Sequence, residues 1–357
     1  MKLHRRGVIG GGLGLAACGR QPTRAEPVGP LPPLRAVAPC PVGTCVQTGQ
    51  LADPAFASLL LRQFSQVTPE FEMKMEVILR PDGGLDYSRP DAIAAFTAQH
   101  GLRLYCTTLV WYYENPVAFQ RLDGTGSPFA RAFANYIAAT TGRYRGRAVG
   151  WDVVNEAVAE DGDGLRSCLW SRNLGQEDYI VRSFELAAQA DPDAVLFLND
   201  YNLESLPRKR DTFLRLVERL LKRGVPLKGL GTQSHITIDL PRGAYAGTMR
   251  ELAQFGLPIH VSELDVSFGR RALDLRSLQD KLAAQADKYA EVADAFLALP
   301  ERQRFAFTVW GLRDRDSFLR TAQYGANAGD DPLLFDDSGA PKPALAALER
   351  AFAGARR

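Results

Sequence analysis

The stretch AVGWDVVNE, residues 148–156, joins an apolar run to an abrupt polar end at Asn155 and Glu156. Val153 and Val154 favour a strand that is covered on both faces, as strands of parallel sheets are. A carboxylate at the end of such a strand is either a structural partner or a working group. The rest of the sequence indicates which of these two roles applies.

Seven further runs have the same character, and amphipathic helical patterns separate them. Strands that alternate with helices predict a parallel sheet, and eight such units predict an α/β fold, a single (β/α)8 TIM barrel. A length of 357 residues suits one such domain, and no internal repeat is present. The seven further predicted strands are residues 41–47, 65–70, 102–111, 194–200, 230–236, 259–266 and 305–312.

Cap signals mark several of the helices. Asp53 followed by Pro54 predicts a helix start, because an Asp side chain can accept from the free amides and Pro suits the first turn. Gly101 predicts a helix stop. The run RDTFLRLVERLLKRG, residues 210–224, places its apolar residues on one face, and KPALAALERAF, residues 342–352, predicts a final helix.

The first residues are typical of an export signal. Arg5 and Arg6 precede a short apolar run that ends in LAAC, which resembles a bacterial lipoprotein box with Cys18 as the lipidated residue. A plain signal peptide is the alternative. We therefore expect an export signal with a lipoprotein box over residues 1–18, a Pro-rich tether over 19–39 and the (β/α)8 barrel domain over 40–357. The expected protein is a periplasmic or cell-surface lipoprotein whose membrane contact is this anchor.

The charge is nearly balanced, at a formal net value of +2, and no long basic run occurs. Nucleic acid is therefore not expected as a partner. The His and Cys residues show no metal-ligand spacing, so neither a metal nor another cofactor is expected. A monomer is the expected assembly.

Four cysteines remain after Cys18, and export would place them in an oxidising compartment. Four cysteines allow three pairings, and the sequence does not choose among them. A bridge between Cys40 and Cys45 is one possibility. Cys106 and Cys168 lie in apolar runs and could be free buried thiols.

Polar and aromatic residues stand at the ends of the predicted strands. In a TIM barrel the active site lies at the carboxyl ends of the strands, so these side chains should meet on one rim. Hydroxyl-binding groups, aromatic faces and carboxylates together are what a carbohydrate site needs. The residues concerned are Glu70, Trp111, Asn155, Glu156, Asn199, Asp200, Gln233, His235, Glu263, Asp265 and Trp310.

Two of these carboxylates could perform the chemistry of glycosidic cleavage. One carboxyl group protonates the leaving oxygen, and the other attacks the anomeric carbon or activates a water. Glu156 ends the fourth predicted strand and Glu263 the seventh, which lie nearly opposite each other in the barrel. A separation of about 5–5.5 Å would give retention of configuration. Each Glu alone would more often be structural; the pair, flanked by Asn155, favours catalysis.

Seven short motifs occur in order along the chain: TPEFEMK (68–74), TLVW (108–111), WDVVNEA (151–157), GTQSHI (231–236), VSELDV (261–266), TVWGLRD (308–314) and LLFDDSGAPKPA (333–344). Together they resemble glycoside hydrolase family 10, the endo-1,4-β-xylanases of the (β/α)8 type, from about Pro41 to the C-terminus. The resemblance implies cleavage of β-1,4-xylosidic bonds in xylan or xylo-oligosaccharides by double displacement with retention.

The resemblance also implies a role for each matching residue. Glu156 should be the general acid/base and Glu263 the nucleophile, while Asn155 should bind the sugar's 2-hydroxyl. His235 should contact Glu263 and be held by Asp265. Further substrate-binding candidates are Glu70, Lys74, Trp111, Tyr201, Gln233 and Trp310, among which the aromatic residues could equally belong to the core. A raised pKa of Glu156 that falls once Glu263 is esterified would suit both of its tasks.

Several positions depart from the family pattern, and nearly all lie where the family grips the non-reducing side of the sugar chain. They are Phe71, Met75, Thr107, Tyr112, Glu114 and Phe318. The reaction type is therefore better defined than the substrate, which could be a decorated oligosaccharide or an aryl or plant glycoside. A non-catalytic carbohydrate-binding protein is a further alternative, which the retention of both Glu156 and Glu263 disfavours.

Overall fold

The computed structural model describes residues 32–269, 274–322 and 329–355. The expected export signal over residues 1–18, with Cys18, lies outside these residues. Within them, no helix combines the length and the apolar character needed to cross a membrane.

Eight parallel strands form a closed ring, as the sequence predicts. Neighbours along the chain pair with one another, β6 pairs with β8, and β9 pairs back with β1 to close the barrel. The strands are β1 (Val42–Val46), β2 (Gln66–Pro69), β3 (Arg103–Trp111), β4 (Ala148–Asn155), β5 (Val195–Asp200), β6 (Gly229–Thr232), β8 (Ile259–Ser267) and β9 (Arg304–Val309), with a short additional strand, β7 (His235–Thr237), that pairs with β8 alone. The predicted (β/α)8 barrel is confirmed.

The single strand predicted over residues 230–236 is wrong in one respect. It breaks after Thr232 and resumes as β7, because Ser234 has a φ of +66° and cannot continue an extended strand. The break places His235 in β7, whereas Gln233 directly follows β6.

Helices surround the ring. Asp53 caps α2 as predicted, since its Oδ1 accepts from the Ala55 amide at 2.9 Å and Pro54 occupies the first turn. The helices are α1 (Leu34–Val37), α2 (Pro54–Gln63), α3 (Met75–Ile78), α4 (Ser88–Gln99), α5 (Val117–Gln120), α6 (Ser127–Arg143), α7 (Leu169–Leu174), α8 (Asp178–Ala190), α9 (Pro207–Lys222), α10 (Ala244–Ala253), α11 (Leu278–Leu297) and α12 (Pro343–Gly354). Short 3-10 segments cover Gln50–Ala52, Glu301–Gln303, Asp314–Asp316 and Phe318–Arg320.

Helix α1 shortens the expected tether. Leu34 and Val37 are buried, and the Leu34 amide donates to Gln63 Oε1 at 2.9 Å. The prediction that the tether extends to residue 39 is therefore wrong at its end, because two apolar side chains in the Pro-rich segment find partners on the barrel. The folded domain begins by Leu34 rather than at residue 40.

Aromatic rings fill the barrel near the amino ends of its strands. Tyr105, Phe197, His260 and Phe305 each stand second or third in their strand, and their rings meet edge to face or tilted. The Tyr105 and His260 centroids lie 4.3 Å apart, and those of Phe197 and Phe305 4.6 Å. Gly229 makes room, since a Cβ there would lie 2.3 Å from the Phe197 ring. We call these four rings the aromatic plug.

The four cysteines of the barrel domain are all free thiols. The suggested bridge between Cys40 and Cys45 is therefore wrong, whereas the interpretation of Cys106 and Cys168 as free buried thiols is confirmed. Burial raises the pKa of both Cys45 and Cys106 well above its ordinary value, so neither presents a reactive thiolate.

Candidate active site

Strands β4 and β8 bring Glu156 and Glu263 to one rim of the barrel. Glu156 follows the last residue of β4, and its φ of +59° turns the chain away from the strand direction at this point. Glu263 lies within β8, and both side chains are buried, with 8% and 7% exposure respectively. Two buried carboxyl groups from different strands thus share the predicted working edge.

Three amide side chains connect the two carboxyl groups. Asn199, at the end of β5, donates from Nδ2 to Glu263 Oε1 at 2.9 Å and to Asn155 Oδ1 at 3.0 Å. Gln233 donates from Nε2 to Glu156 Oε1 at 2.9 Å and to Asn155 Oδ1 at 3.1 Å. A chain of amides therefore holds one oxygen of each carboxyl group in place, which is the kind of preorganisation that catalysis needs.

The environment of Glu156 favours its protonated form. Burial raises its pKa from 4.5 to about 7, the nearby carboxylates of Asp200 and Glu263 add to the rise, and the hydrogen bond from Gln233 opposes it. A carboxyl group with a pKa near 7 can give up a proton and take one back at neutral pH. This is the property that the sequence-based role of Glu156 requires.

His235 links Glu263 to Asp265. Its Nδ1 lies 2.8 Å from Asp265 Oδ2, and its Nε2 lies 3.4 Å from Glu263 Oε2. Although burial works against a charged imidazole, the two carboxylates prevail and raise the pKa of His235 to about 10. The ring is therefore an imidazolium at neutral pH, and its positive charge faces the carboxylate of Glu263. The predicted contacts of His235 are present in the structure.

Aromatic rings surround a lysine on the β2 and β3 side of the rim. The Lys74 ammonium lies 4.7 Å from the centroids of both Phe71 and Trp111, within cation–π range. Glu70 is buried nearby, accepts from Gln47 Nε2 at 2.9 Å, and has a pKa that burial raises to about 7. The structure thus places Glu70, Lys74 and Trp111 together, and adds an exposed ring, Phe71, to them.

Another aromatic pair lies beside His235. The Phe318 ring centroid is 5.0 Å from that of the imidazole and the Trp310 centroid 6.4 Å. Trp310 is buried and follows β9, where its amide donates to the Leu264 carbonyl at 2.9 Å. Trp310 therefore lies on the same part of the rim as Glu263, as the sequence predicts.

Tyr201 stands on the β5 side of the rim, in a charged cluster. Its hydroxyl donates to Glu160 and accepts from Arg166 Nη2 at 2.8 Å, and the Lys209 ammonium lies 3.3 Å from its ring centroid. Lys209 also pairs with the buried Asp200 at 3.0 Å. The protein itself therefore occupies much of the hydrogen-bonding capacity of Tyr201, and its predicted contact with substrate stays a prediction.

The positions that depart from the family pattern divide into two groups. Met75, Thr107 and Glu114 are buried. Glu114 accepts from the Glu76 amide at 2.9 Å, and burial raises its pKa to about 8, so it is a neutral, inward-facing group. The accessible departures are the aromatic residues Phe71, Tyr112 and Phe318.

The sequence assigns no role to two residues of the site. Asn199 is among the strand-end residues expected at the rim, but its hydrogen bond to Glu263 depends on side-chain packing that a strand pattern does not contain. Arg166 donates from Nε to the Glu156 carbonyl at 3.1 Å. No sequence signal singles it out, because its approach depends on how the loop after β4 folds.

The sequence pattern of the family described as "Glycosyl hydrolase family 10" matches residues 35–351. This match covers nearly the whole of the described chain. The chain belongs to glycosyl hydrolase family 10.

Named relatives and a solved structure are similar to this chain. Endo-1,4-beta-xylanase from Geobacillus stearothermophilus is 33% identical over 303 residues, which are 81% of this chain and 89% of that protein. Endo-1,4-beta-xylanase A from Caldicellulosiruptor sp. (strain Rt8B.4) is 34% identical over 321 residues, or 86% of this chain. The solved structure of a thermostable mutant of the xylanase Xyn10A from Cellvibrio japonicus superposes with a TM-score of 0.81 at 30% identity, over 90% of this chain and 100% of that one.

The chain spans about half the length of some of its curated relatives. The matched region is 45% of the Caldicellulosiruptor protein and 56% of Endo-1,4-beta-xylanase A from Cellvibrio japonicus. The likeness to these two proteins therefore concerns their family 10 portion.

Proposed function

We propose that this protein is a retaining glycoside hydrolase that cleaves β-1,4-xylosidic bonds in xylan or xylo-oligosaccharides. One observation carries the proposal: two buried carboxyl groups share the rim in unlike electrostatic surroundings. Burial raises the pKa of Glu156 to about 7, whereas Glu263 faces an imidazolium and accepts from Asn199. Pairs of carboxyl groups with unlike environments divide the roles of acid and nucleophile.

The two groups would act in two steps. In the first, the Glu263 carboxylate attacks the anomeric carbon while Glu156 gives its proton to the departing glycosidic oxygen, and a glycosyl ester on Glu263 forms. In the second, Glu156 takes a proton from water, which attacks the anomeric carbon and releases Glu263. Esterification removes the negative charge of Glu263, so the pKa of Glu156 falls and favours its second role as a base.

The release of reducing sugar from xylan tests this activity. Wild-type protein should release reducing ends, and Glu263→Ala should not, while the exposed Glu218→Ala variant serves as a control that leaves the site intact. Equal release by wild type and Glu263→Ala would defeat the catalytic assignment. An inactive wild type that binds xylo-oligosaccharides would instead favour the non-catalytic carbohydrate-binding protein.

The substrate proposal includes a difference from ordinary family members. Phe71 is 38% exposed and stands where the family usually has an Asn, so a hydrogen-bond donor to a sugar hydroxyl is replaced by an apolar ring. Sites that lose such a partner change their preference among hydroxyl patterns. The second candidate is therefore a decorated oligosaccharide or an aryl or plant glycoside.

A product profile on linear, arabinose-decorated and glucuronate-decorated xylo-oligosaccharides separates these substrates. We expect linear xylohexaose to be cleaved less efficiently than by ordinary family members, and Phe71→Asn to narrow that gap. Efficient cleavage of linear xylohexaose to the usual products would contradict the proposed difference in substrate preference from ordinary family members.

The export signal and the anchor on Cys18 are also part of the proposal, and they rest on the sequence of residues 1–18. Bacteria that express the chain and are fed labelled palmitate should label the wild type but not Cys18→Ser. Labelling of neither would leave a plain signal peptide as the better interpretation. The expected monomer is tested by light scattering of the barrel domain.

A further inference from the structure

Arg166 lies at the end of a hairpin that returns the chain to the acid/base. After Glu156 the chain turns, Val158 pairs with Leu165 in an isolated bridge, and the Arg166 amide donates to the Ala157 carbonyl at 2.9 Å. The Arg166 side chain is 14% exposed. A residue ten positions away in sequence thus lies against the backbone of Glu156.

The guanidinium of Arg166 holds three groups at once. Its Nε donates to the Glu156 carbonyl at 3.1 Å, while Nη2 donates to the Tyr201 hydroxyl at 2.8 Å and to Glu160 Oε2 at 3.2 Å. Its Cζ atom lies over the Tyr112 ring, 4.0 Å from the ring centroid and within cation–π range. Only a planar guanidinium can donate along its edge and stack on its face in this way; a lysine ammonium cannot.

The contact with the Glu156 carbonyl falls on a strained backbone position. Glu156 has a φ of +59°, a region that residues other than glycine enter only when their surroundings hold them there. The Glu156 amide donates to the Asn199 carbonyl at 2.8 Å, which fixes the preceding peptide to the barrel. Arg166 fixes the carbonyl on the other side, so the two bonds together set the direction in which the carboxyl group leaves the backbone.

The same side chain connects the two sides of the rim. Tyr112 follows β3, next to the residues that surround Lys74, and Tyr201 follows β5. Arg166 contacts both rings and passes beside Glu156 between them. Tyr112 is one of the accessible departures from the family pattern, so the contact of Arg166 with its ring involves one of these positions.

We propose that Arg166 is a positioning residue that aims the carboxyl group of Glu156 by fixing its backbone carbonyl, and that it does so from a stack on Tyr112. The inference rests on the proposed glycosidase function. The proposed role of Arg166 is in proton transfer rather than in the binding of sugar, and kinetics on two substrates can distinguish these two roles.

Two aryl xylobiosides separate proton transfer from every other step. Dinitrophenolate leaves without a proton, whereas phenol needs the proton of Glu156 to leave. The ratio kcat/KM reports the steps up to the first irreversible one, formation of the glycosyl ester, so it excludes the later hydrolysis. A misdirected Glu156 therefore lowers kcat/KM on the phenyl substrate and spares the dinitrophenyl substrate.

The test uses Arg166→Lys, which keeps the charge but loses the planar edge and face. We expect kcat/KM on phenyl xylobioside to fall about 10- to 100-fold, as small misplacements of catalytic groups do, and on dinitrophenyl xylobioside to change less than about 3-fold. Arg172→Lys is the matched control, since Arg172 is an exposed arginine on α7 that pairs with Asp123. Thermal unfolding verifies that each variant is folded.

An equal loss on both substrates, or no loss on either, would overturn the inference while the wild type remained an active glycosidase. A wild type that cleaves neither substrate would overturn the proposed function and this inference with it. Should Arg166→Lys fail to fold, Tyr201→Phe removes one of the three groups that Arg166 holds. It should show a smaller loss with the same dependence on the leaving group; a loss on both substrates alike would assign Tyr201 to substrate binding and contradict the inference.

Discussion

Asn199 donates one hydrogen bond to Glu263 Oε1, at 2.9 Å, and another to Asn155 Oδ1, at 3.0 Å, while its own oxygen accepts from Ser262 at 2.8 Å. The amide is fully buried, so its orientation is set by these partners. Asn199 thus ties the proposed nucleophile to the residue proposed to bind the sugar's 2-hydroxyl.

Asn199→Ala should lower kcat/KM on aryl xylobiosides. A hydrogen bond to a charged group contributes ~1.5–3 kcal/mol, which corresponds to a loss of about 10- to 100-fold if the bond acts in the transition state. Steady-state kinetics measure the loss, and Asn173→Ala, on the far end of α7, is the control. Unchanged kinetics in a folded Asn199→Ala variant would show that Glu263 is held adequately without this amide.

The pH dependence of the reaction should show the titration of Glu156. Because the first step needs Glu156 protonated and its pKa is about 7, kcat/KM on phenyl xylobioside should fall as the pH rises through this value. With dinitrophenyl xylobioside, which needs no proton, this alkaline limb should be absent from both the wild type and Glu156→Gln. An alkaline limb that persists in Glu156→Gln would assign the titration to another group.

The His235–Asp265 pair should stabilise the fold in a pH-dependent manner. The pKa of His235 is raised from 6.5 to about 10, so the stabilisation is complete below pH 6.5 and is lost as the pH rises through 10. Asp265→Asn should lower the free energy of unfolding by ~3 kcal/mol at pH 6 and by less above pH 10. Urea unfolding at the two pH values measures this difference.

Asp163→Asn is the control for that experiment. Asp163 pairs with Arg208 on the surface, and both side chains are largely exposed, so the change should cost less than ~1 kcal/mol. A destabilisation by Asp265→Asn that is equal at both pH values would contradict an imidazolium at His235.

Two glycines of β6 allow the effect of overpacking on stability to be separated from the effect of a displaced Asn199 on activity. A Cβ at Gly231 would lie 2.2 Å from Asn199 Oδ1, and a Cβ at Gly229 would lie 2.3 Å from the Phe197 ring. Both Gly→Ala changes should therefore cost ~1–3 kcal/mol of stability. Gly231→Ala alone should also lower kcat/KM, because it displaces the amide that holds Glu263. Equal kinetics in the two variants, measured well below their unfolding temperatures, would argue against this coupling.

The barrel could be predicted from sequence because buried parallel strands have a strong compositional signal. The predicted strand at 148–156 differs by one residue from Ala148–Asn155, and Asp53 caps α2 as expected. The break at Ser234 could not be predicted, since a positive φ at a Ser has no signature in its neighbours.

The site was predictable to the extent that strand ends define it. Glu156 stands where its run ends, Gln233 and Glu263 lie within theirs, and the structure brings the three together. Arg166 was not predictable, since its position depends on a hairpin and on the ring of Tyr112 rather than on any strand. Contacts between loops are decided by tertiary packing, which a local pattern does not contain.

The aromatic plug restricts where on the barrel a polysaccharide chain can bind. Since Tyr105, Phe197, His260 and Phe305 fill the barrel below the rim, a polysaccharide cannot thread between the strands and must lie across their ends. A sugar chain bound as proposed would therefore be contacted from one side only, by the residues of the rim.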